Sequence, residues 1–260
     1  MNHETEHKDA QREDYWMHDN QAMLEILEKG AQGFMDEKFK DLEINEHESL
    51  TCSCIDERVG GNKLALPGSG ILAGDQKAFE ILKAAGVDAI TSHADCGAAS
   101  LAFGKLSAAD QEKYGSADVY AQEWSRQMAE KLGIKYVGHI GVESPGQHIA
   151  RTVYYDATGN FRADNPNIPR GFTVSRKFIE TEEAQESLEL SLKIAFGDHG
   201  FKEYFTPENP LVIIPIGNEQ DLSVLSEEIA TVVKQNPQMA DKIRIDQGVV
   251  FELPAQEKAA

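Results

Sequence analysis

The 260 residues include 25 Lys and Arg against 44 Asp and Glu, a formal net charge of −19. Such a field repels phosphate backbones and anionic lipid, which argues against nucleic-acid and membrane partners, and no apolar run approaches the roughly 18 residues of a membrane span. The polar N-terminus lacks the apolar segment of a secretion signal, so the expected compartment is the cytoplasm, and the length suits one large α/β domain or two small ones.

Residues 1–45 read as a helical arm. The stretch "DNQAMLEILEKGAQGFMDEKF" places Met23, Leu24, Ile26, Leu27 and Phe34 close to one helical stripe. Such an arm packs either on a neighbouring subunit or on its own domain, and the sequence does not separate the two. Strand and helix signals then alternate. "SLTCSCID" is a short strand, "GDQKAFEILKAAG" a helix closed by Gly86, and "VDAITSHAD" a second strand. "SADVYAQEWSRQMAEKLG" is a helix ending at Gly133, and "IKYVGHIGV" a third strand.

Residues 142–208 break this rhythm and read as an insertion. Within it "ARTVYYDATGNFRAD" suggests a hairpin turning at Ala157–Gly159, and "TEEAQESLELSLKIAFGDHG" an amphipathic helix. The alternation resumes with the apolar strand "NPLVIIPIGN", the helix "EQDLSVLSEEIATVVKQN" and a last strand, "KIRIDQGVVFEL". Strands alternating with helices of this length imply right-handed βαβ units. The expected fold is therefore a single α/β domain over 46–260, with a mostly parallel central sheet flanked by helices behind the N-terminal arm. No internal repeat is evident in the residues.

Three cysteines are an odd number for a disulfide framework, and two of them fall in "LTCSCIDERVGG". Clustered Cys without a secretion signal points to metal binding or catalysis. In a strand, Cys52, Cys54, Asp56 and Arg58 share one face. The last three lie at the strand's C-terminal end, where open α/β sheets place their ligand crevice, whereas Cys52 lies deeper and is expected in the core. The second strand ends in "SHADCG", where His93 and Cys96 share one turn and can reach one ion. Cys54, His93 and Cys96 form a donor set that suits Zn²⁺, and three protein ligands leave a position for water, the pattern of a catalytic zinc. Asp56, held ionised by Arg58, would orient that water.

"CIDER" followed by "HADCG" resembles the paired signature of the β-class carbonic anhydrases. The resemblance covers roughly residues 50–100, with "VYYDATGNF" a weaker similarity. It implies zinc held by Cys54, His93 and Cys96, a catalytic Asp56–Arg58 dyad, and an α/β fold whose N-terminal arm embraces a partner. It further implies a lyase that hydrates CO₂ to bicarbonate through zinc-bound hydroxide, in a homodimer or higher homo-oligomer. Two alternatives stay open: hydrolysis of CS₂ or COS on the same zinc, and a non-catalytic zinc-binding scaffold or bicarbonate sensor with Asp56 as permanent fourth ligand. "LALPGSGILAG" departs from the family's usual segment; its glycine-rich part offers backbone N–H groups to an anion or is a plain structural turn. His139 is read as a core or supporting residue with a proton shuttle as the alternative, and His148, Arg151 and His199 as insertion-loop residues.

Overall fold

Buried parallel strands must be apolar on both faces, and helices must return the chain from the end of one strand to the start of the next. The computed structural model, which describes residues 3–38, 49–61, 63–142, 146–159 and 161–250, realises this scheme twice. The first sheet contains β1 (Thr51–Ser53), β2 (Lys63–Ala65), β3 (Ala89–His93) and β4 (Lys135–Ile140), in the order β2-β1-β3-β4. Its connections carry α3 (Asp75–Ala85), α4 (Gly97–Gly104), α5 (Ala108–Tyr114) and α6 (Ala117–Leu132). Helix α3 stops where expected: Gly86 adopts φ 65°, and its N–H bonds back to the Leu82 and Lys83 carbonyls. Helix α6 starts on Ser116, whose side chain accepts from the Val119 N–H.

The second sheet contains β5 (Thr152–Asp156), β6 (Gly171–Ser175), β7 (Leu211–Gly217) and β8 (Ile243–Ile245), in the order β6-β5-β7-β8, with β9 (Val249–Val250) also pairing β7. Helices α7 (Thr181–Ala195) and α8 (Leu222–Gln235) make its crossovers. Every strand pair in both sheets is parallel. The two sheets also share one winding order: the first strand lies between the second and the third, and the fourth lies outside the third. This topological repeat has no counterpart in residue identities, because buried parallel strands demand only apolar, largely β-branched side chains.

The sheets meet along β2 and β6. Thr173 N donates to the Ile55 carbonyl at 3.0 Å, and Ala65 N donates to Ser175 Oγ at 2.8 Å. One apolar cluster runs through both, joining Cys52, Leu64 and Ile90 to Val153, Tyr155, Phe172 and Ile213, so the α/β chain behaves as one domain with a shared core. Residues 146–208 supply the inner strand β5 and the edge strand β6. The expected hairpin is not formed: β5 runs parallel to β6, from which residues 157–170 separate it, and to β7. Every residue of β5 is buried, so the strand is covered on both sides, and the Asp156 carboxylate closes the turn by accepting from Thr158 N and Gly159 N. The single last strand expected from the sequence is two, β8 and β9; residues 251–253 of that reading lie outside the described residues.

The arm folds as α1 (His3–His18) and α2 (Asn20–Lys38), broken at Gly30 with φ 78°; residues 39–45 lie outside the described residues. Met23, Ile26 and Phe34 are buried against Tyr154, Val212, Ile214 and Ile216 of the second sheet, while Leu24 stays exposed. The stripe therefore packs on its own chain. Trp16 anchors α1 against Phe201 and Phe205, at centroid distances of 4.9 and 5.4 Å. Arg151 lies 3.6 Å over the Trp16 ring and donates to the Trp16 carbonyl and to Asn20 Oδ1. Arg151 lies in the bend just before β5, as the loop reading expects, but its side chain is buried and serves as a core strut. Because the apolar face of α2 is met within one chain, Ile26→Val is expected to lower unfolding free energy by about 1 kcal/mol. Urea denaturation checks this, and the loss should not change with protein concentration. Among the described residues no helix is long and apolar enough to cross a membrane.

Candidate metal centre

Strands β1 and β3 are hydrogen-bonded neighbours, with Cys52 opposite Ile90. Their C-terminal ends therefore emerge side by side and bring the two cysteine motifs together. One ligand atom from each of Cys54, His93 and Cys96 lies within 4.8 Å of the others, and the two sulfurs are 3.9 Å apart. All three residues are buried.

Three observations fit this group to a metal ion. The His93 ring is fixed: a carbonyl can only accept, so Nδ1 carries the hydrogen it donates to the Ala94 carbonyl at 2.8 Å. Nε2 is left buried and without a hydrogen-bond partner, an arrangement costly unless a ligand completes it. The surroundings also favour a thiolate: the hydrogen bond from Cys96 holds Cys54 well below the ordinary thiol range, burial opposes this, and His93 adds to it. Gly68 N donates to Cys54 Sγ at 3.2 Å. Burial disfavours charge on His93, but the Cys54 thiolate outweighs it and raises the imidazole to about 9. Buried thiols and one imidazole could thus hold a metal ion.

Cys52 is core as expected. Its side chain is fully buried, its thiol donates to the Ser69 carbonyl at 3.3 Å, and burial pushes its pKa far up.

Asp56 and Arg58 sit at the edge of the same site. Arg58 Nε donates to Oδ1 at 2.9 Å and its terminal nitrogen to Oδ2 at 2.7 Å, while the Arg58 backbone N–H also reaches Oδ1 at 2.9 Å. Burial works against the charged carboxylate, but the Arg58 fork, with His148 and His93 nearby, holds Asp56 well below the usual carboxylate range. Oδ2 lies 3.8 Å from His93 Nε2. Arg58 is itself braced by Asp95 Oδ2 at 3.3 Å, a residue in left-handed backbone at φ 57°.

β1 ends at Ser53, so face-sharing by strand alternation stops there. Cys54 through Val59 form a turn, closed by Val59 N donating to the Asp56 carbonyl. The turn, not the strand, aims Cys54 and Asp56 into one site.

Two residues that sequence reasoning did not place here complete the wall. Glu57 accepts from His148 Nδ1 at 3.0 Å and from Ile149 N at 2.6 Å. His148 lies 3.9 Å from Asp56 Oδ1 and packs on Phe172. Asp56, Glu57 and His148 are a second set of close-lying donor groups, already joined by these hydrogen bonds. His148 comes from the turn leading into β5, so the second sheet lines the site of the first; nothing local in "SPGQHIA" signals that contact. His139 does not join the site: Nδ1 meets Ser92 Oγ at 2.9 Å, Nε2 lies 3.9 Å from Asp118, and burial lowers its pKa.

The loop Pro67–Ala73 is a tight 3-10 turn with three consecutive positive φ values, at Gly68 (59°), Ser69 (59°) and Gly70 (101°). Its first glycine N–H is spent on the Cys54 sulfur. A Cβ on Gly68 would meet Ile71 Cγ2 at 2.6 Å and Ala98 Cβ at 3.1 Å. Gly68→Ala is therefore expected to destabilise by more than about 1 kcal/mol and to weaken metal retention, measured by urea denaturation beside chelator competition.

The chain matches no family model, no curated protein and no solved structure.

Proposed function

We propose that the chain is a zinc-dependent, carbonic anhydrase-like lyase that interconverts CO₂ and bicarbonate, with Cys54, His93 and Cys96 as zinc ligands and Asp56 and Arg58 as the catalytic pair. The observation that carries this reading is the buried, unpartnered His93 Nε2 beside two sulfurs, 3.8 Å from a carboxylate that a buried guanidinium keeps ionised. Zinc held by these three residues would supply the Lewis acidity that makes water a nucleophile near neutral pH.

The chain's own groups do the rest. Asp56 Oδ2, the oxygen 3.8 Å from His93 Nε2, accepts a hydrogen bond from the attacking oxygen nucleophile and turns its lone pair toward the CO₂ carbon. Arg58 keeps Asp56 ionised and fixes its rotamer through two parallel N–H···O bonds. Gly68 N–H draws charge from the Cys54 thiolate. The substrate of this reading is a small molecule.

Because Arg58 and its backbone N–H already engage both Asp56 oxygens, the carboxylate is held for hydrogen bonding in place of metal ligation. That favours the enzyme over a scaffold with a permanently closed metal site. Stopped-flow CO₂ hydration with zinc-loaded chain tests the reading, with CS₂ and COS as competing substrates. Turnover of CO₂ that is lost in Asp56→Asn supports it. No CO₂ turnover at neutral or alkaline pH overturns it.

A further inference from the structure

A lysine ammonium is costly to bury unless all its hydrogens find acceptors. Lys63, at the start of β2, is 2% exposed. Its Nζ donates to the carbonyls of Cys54 at 3.0 Å, Asp56 at 3.0 Å and Val59 at 2.6 Å. Three donors meet three acceptors, and all three acceptors belong to the turn that carries the candidate ligand and the catalytic pair.

A carbonyl and its neighbouring side chains cannot point the same way. Drawing these carbonyls inward onto one cation turns Cys54 Sγ and the Asp56 carboxylate outward, toward His93 and Cys96. The turn is also held by Val59 N on the Asp56 carbonyl at 3.2 Å, Thr173 N on the Ile55 carbonyl at 3.0 Å and Arg58 N on Asp56 Oδ1 at 2.9 Å, but Lys63 is the group that gathers the carbonyls of Cys54, Asp56 and Val59 onto one point. An apolar side chain at position 63 would fill the volume but strip the Cys54 and Val59 carbonyls of the Lys63 partner and leave the Asp56 carbonyl only the Val59 N–H.

We propose that Lys63 is a positioning residue for the metal centre, a cation around which the 54–59 turn is wrapped so that Cys54 and Asp56 take their working orientation. The inference rests on the metal-site reading above, and its test separates the two. Zn²⁺ affinity of the full chain is measured by competition with a chromogenic chelator, and Co²⁺ loading by its thiolate-to-metal absorption. In Lys63→Met, Zn²⁺ affinity is expected to fall about 10- to 100-fold, the range for residues that orient metal ligands, and the Co²⁺ bands to shift. In Lys63→Ala, propylammonium is expected to restore affinity and bands, whereas butanol is not.

Folded Lys63→Met with native affinity and native bands overturns the proposal while the metal site stands. Failure of the native chain to bind either ion overturns the metal reading and the proposal together. The native chain supplies a measurement that does not depend on a variant folding: a ¹⁵N lysine ammonium signal protected from solvent exchange, which moves when Zn²⁺ is added. Absence of that protected signal, or its indifference to Zn²⁺, also overturns the proposal.

Discussion

Cys54→Ser, Cys96→Ser and His93→Ala are each expected to weaken Zn²⁺ binding by a few hundredfold and to abolish CO₂ hydration. Zinc sites of thiolate and imidazole are worth roughly 10–16 kcal/mol with four ligands, about 2.5–4 kcal/mol for each. The three atoms lie within 4.8 Å of one another, no other His or Cys joins them among the described residues, and the nearby Asp56 carboxylate is engaged by Arg58. Cys52→Ser is the control. It alters a sulfur close in sequence, but one that sits in the core and donates to a backbone carbonyl; zinc affinity should stay native, with any loss confined to stability. Chelator competition on the four variants checks the contrast. Equal losses at Cys52 and Cys54 would mean that general unfolding, and not ligation, is being measured.

The second large effect concerns Arg58. Removing one partner of a buried ion pair leaves the other charge uncompensated, at a cost of about 3–5 kcal/mol. Arg58→Ala is expected to lose that much stability at neutral pH, because Asp56 is 3% exposed and Arg58 supplies both side-chain donors to its carboxylate. The pH dependence should also reverse. In the native chain the Asp56 pKa is depressed below its ordinary 3.8, so its contribution is fully present above that value and is lost only as pH falls toward the folded pKa. Without Arg58, burial dominates and the folded pKa rises above 3.8. The carboxyl group then stabilises the fold at low pH, and that contribution is lost as pH rises through the folded value. Adding Asp56→Asn to Arg58→Ala should restore much of the stability but none of the activity. Urea denaturation between pH 4 and 8 checks both signs; a native-like pH profile in Arg58→Ala would contradict them.

The site was far more legible in the sequence than its setting. Cys54, Asp56 and Arg58 occupy one short run, and His93 and Cys96 share one turn, so each half of the candidate site shows in local spacing. Parallel pairing of β1 with β3 then needs only the usual βαβ rule. Strand alternation placed Cys54 and Asp56 together correctly, but for a different reason from the one that operates, since the turn takes over after Ser53.

Lys63 and His148 were not legible because their hydrogen-bond partners lie 4 to 91 positions away and only the folded turn gathers them. Thr152–Asp156 misled for a related reason. A strand buried on both faces has no polar face, and a following Asp-x-Thr-Gly turn looks the same whether the next strand returns antiparallel or, after a longer loop, parallel. The repeated strand order of the two sheets is likewise a property of connection and pairing, which residue identities need not record.

The most direct test of the account is X-ray absorption at the zinc edge of freshly purified chain that has never met a chelator. The account predicts about one zinc per chain, with two sulfur neighbours near 2.3 Å and at least one nitrogen near 2.0–2.1 Å, and loss of one sulfur in Cys54→Ser. Metal-free chain that stays so after zinc loading, or a zinc shell of oxygen and nitrogen alone, would contradict it.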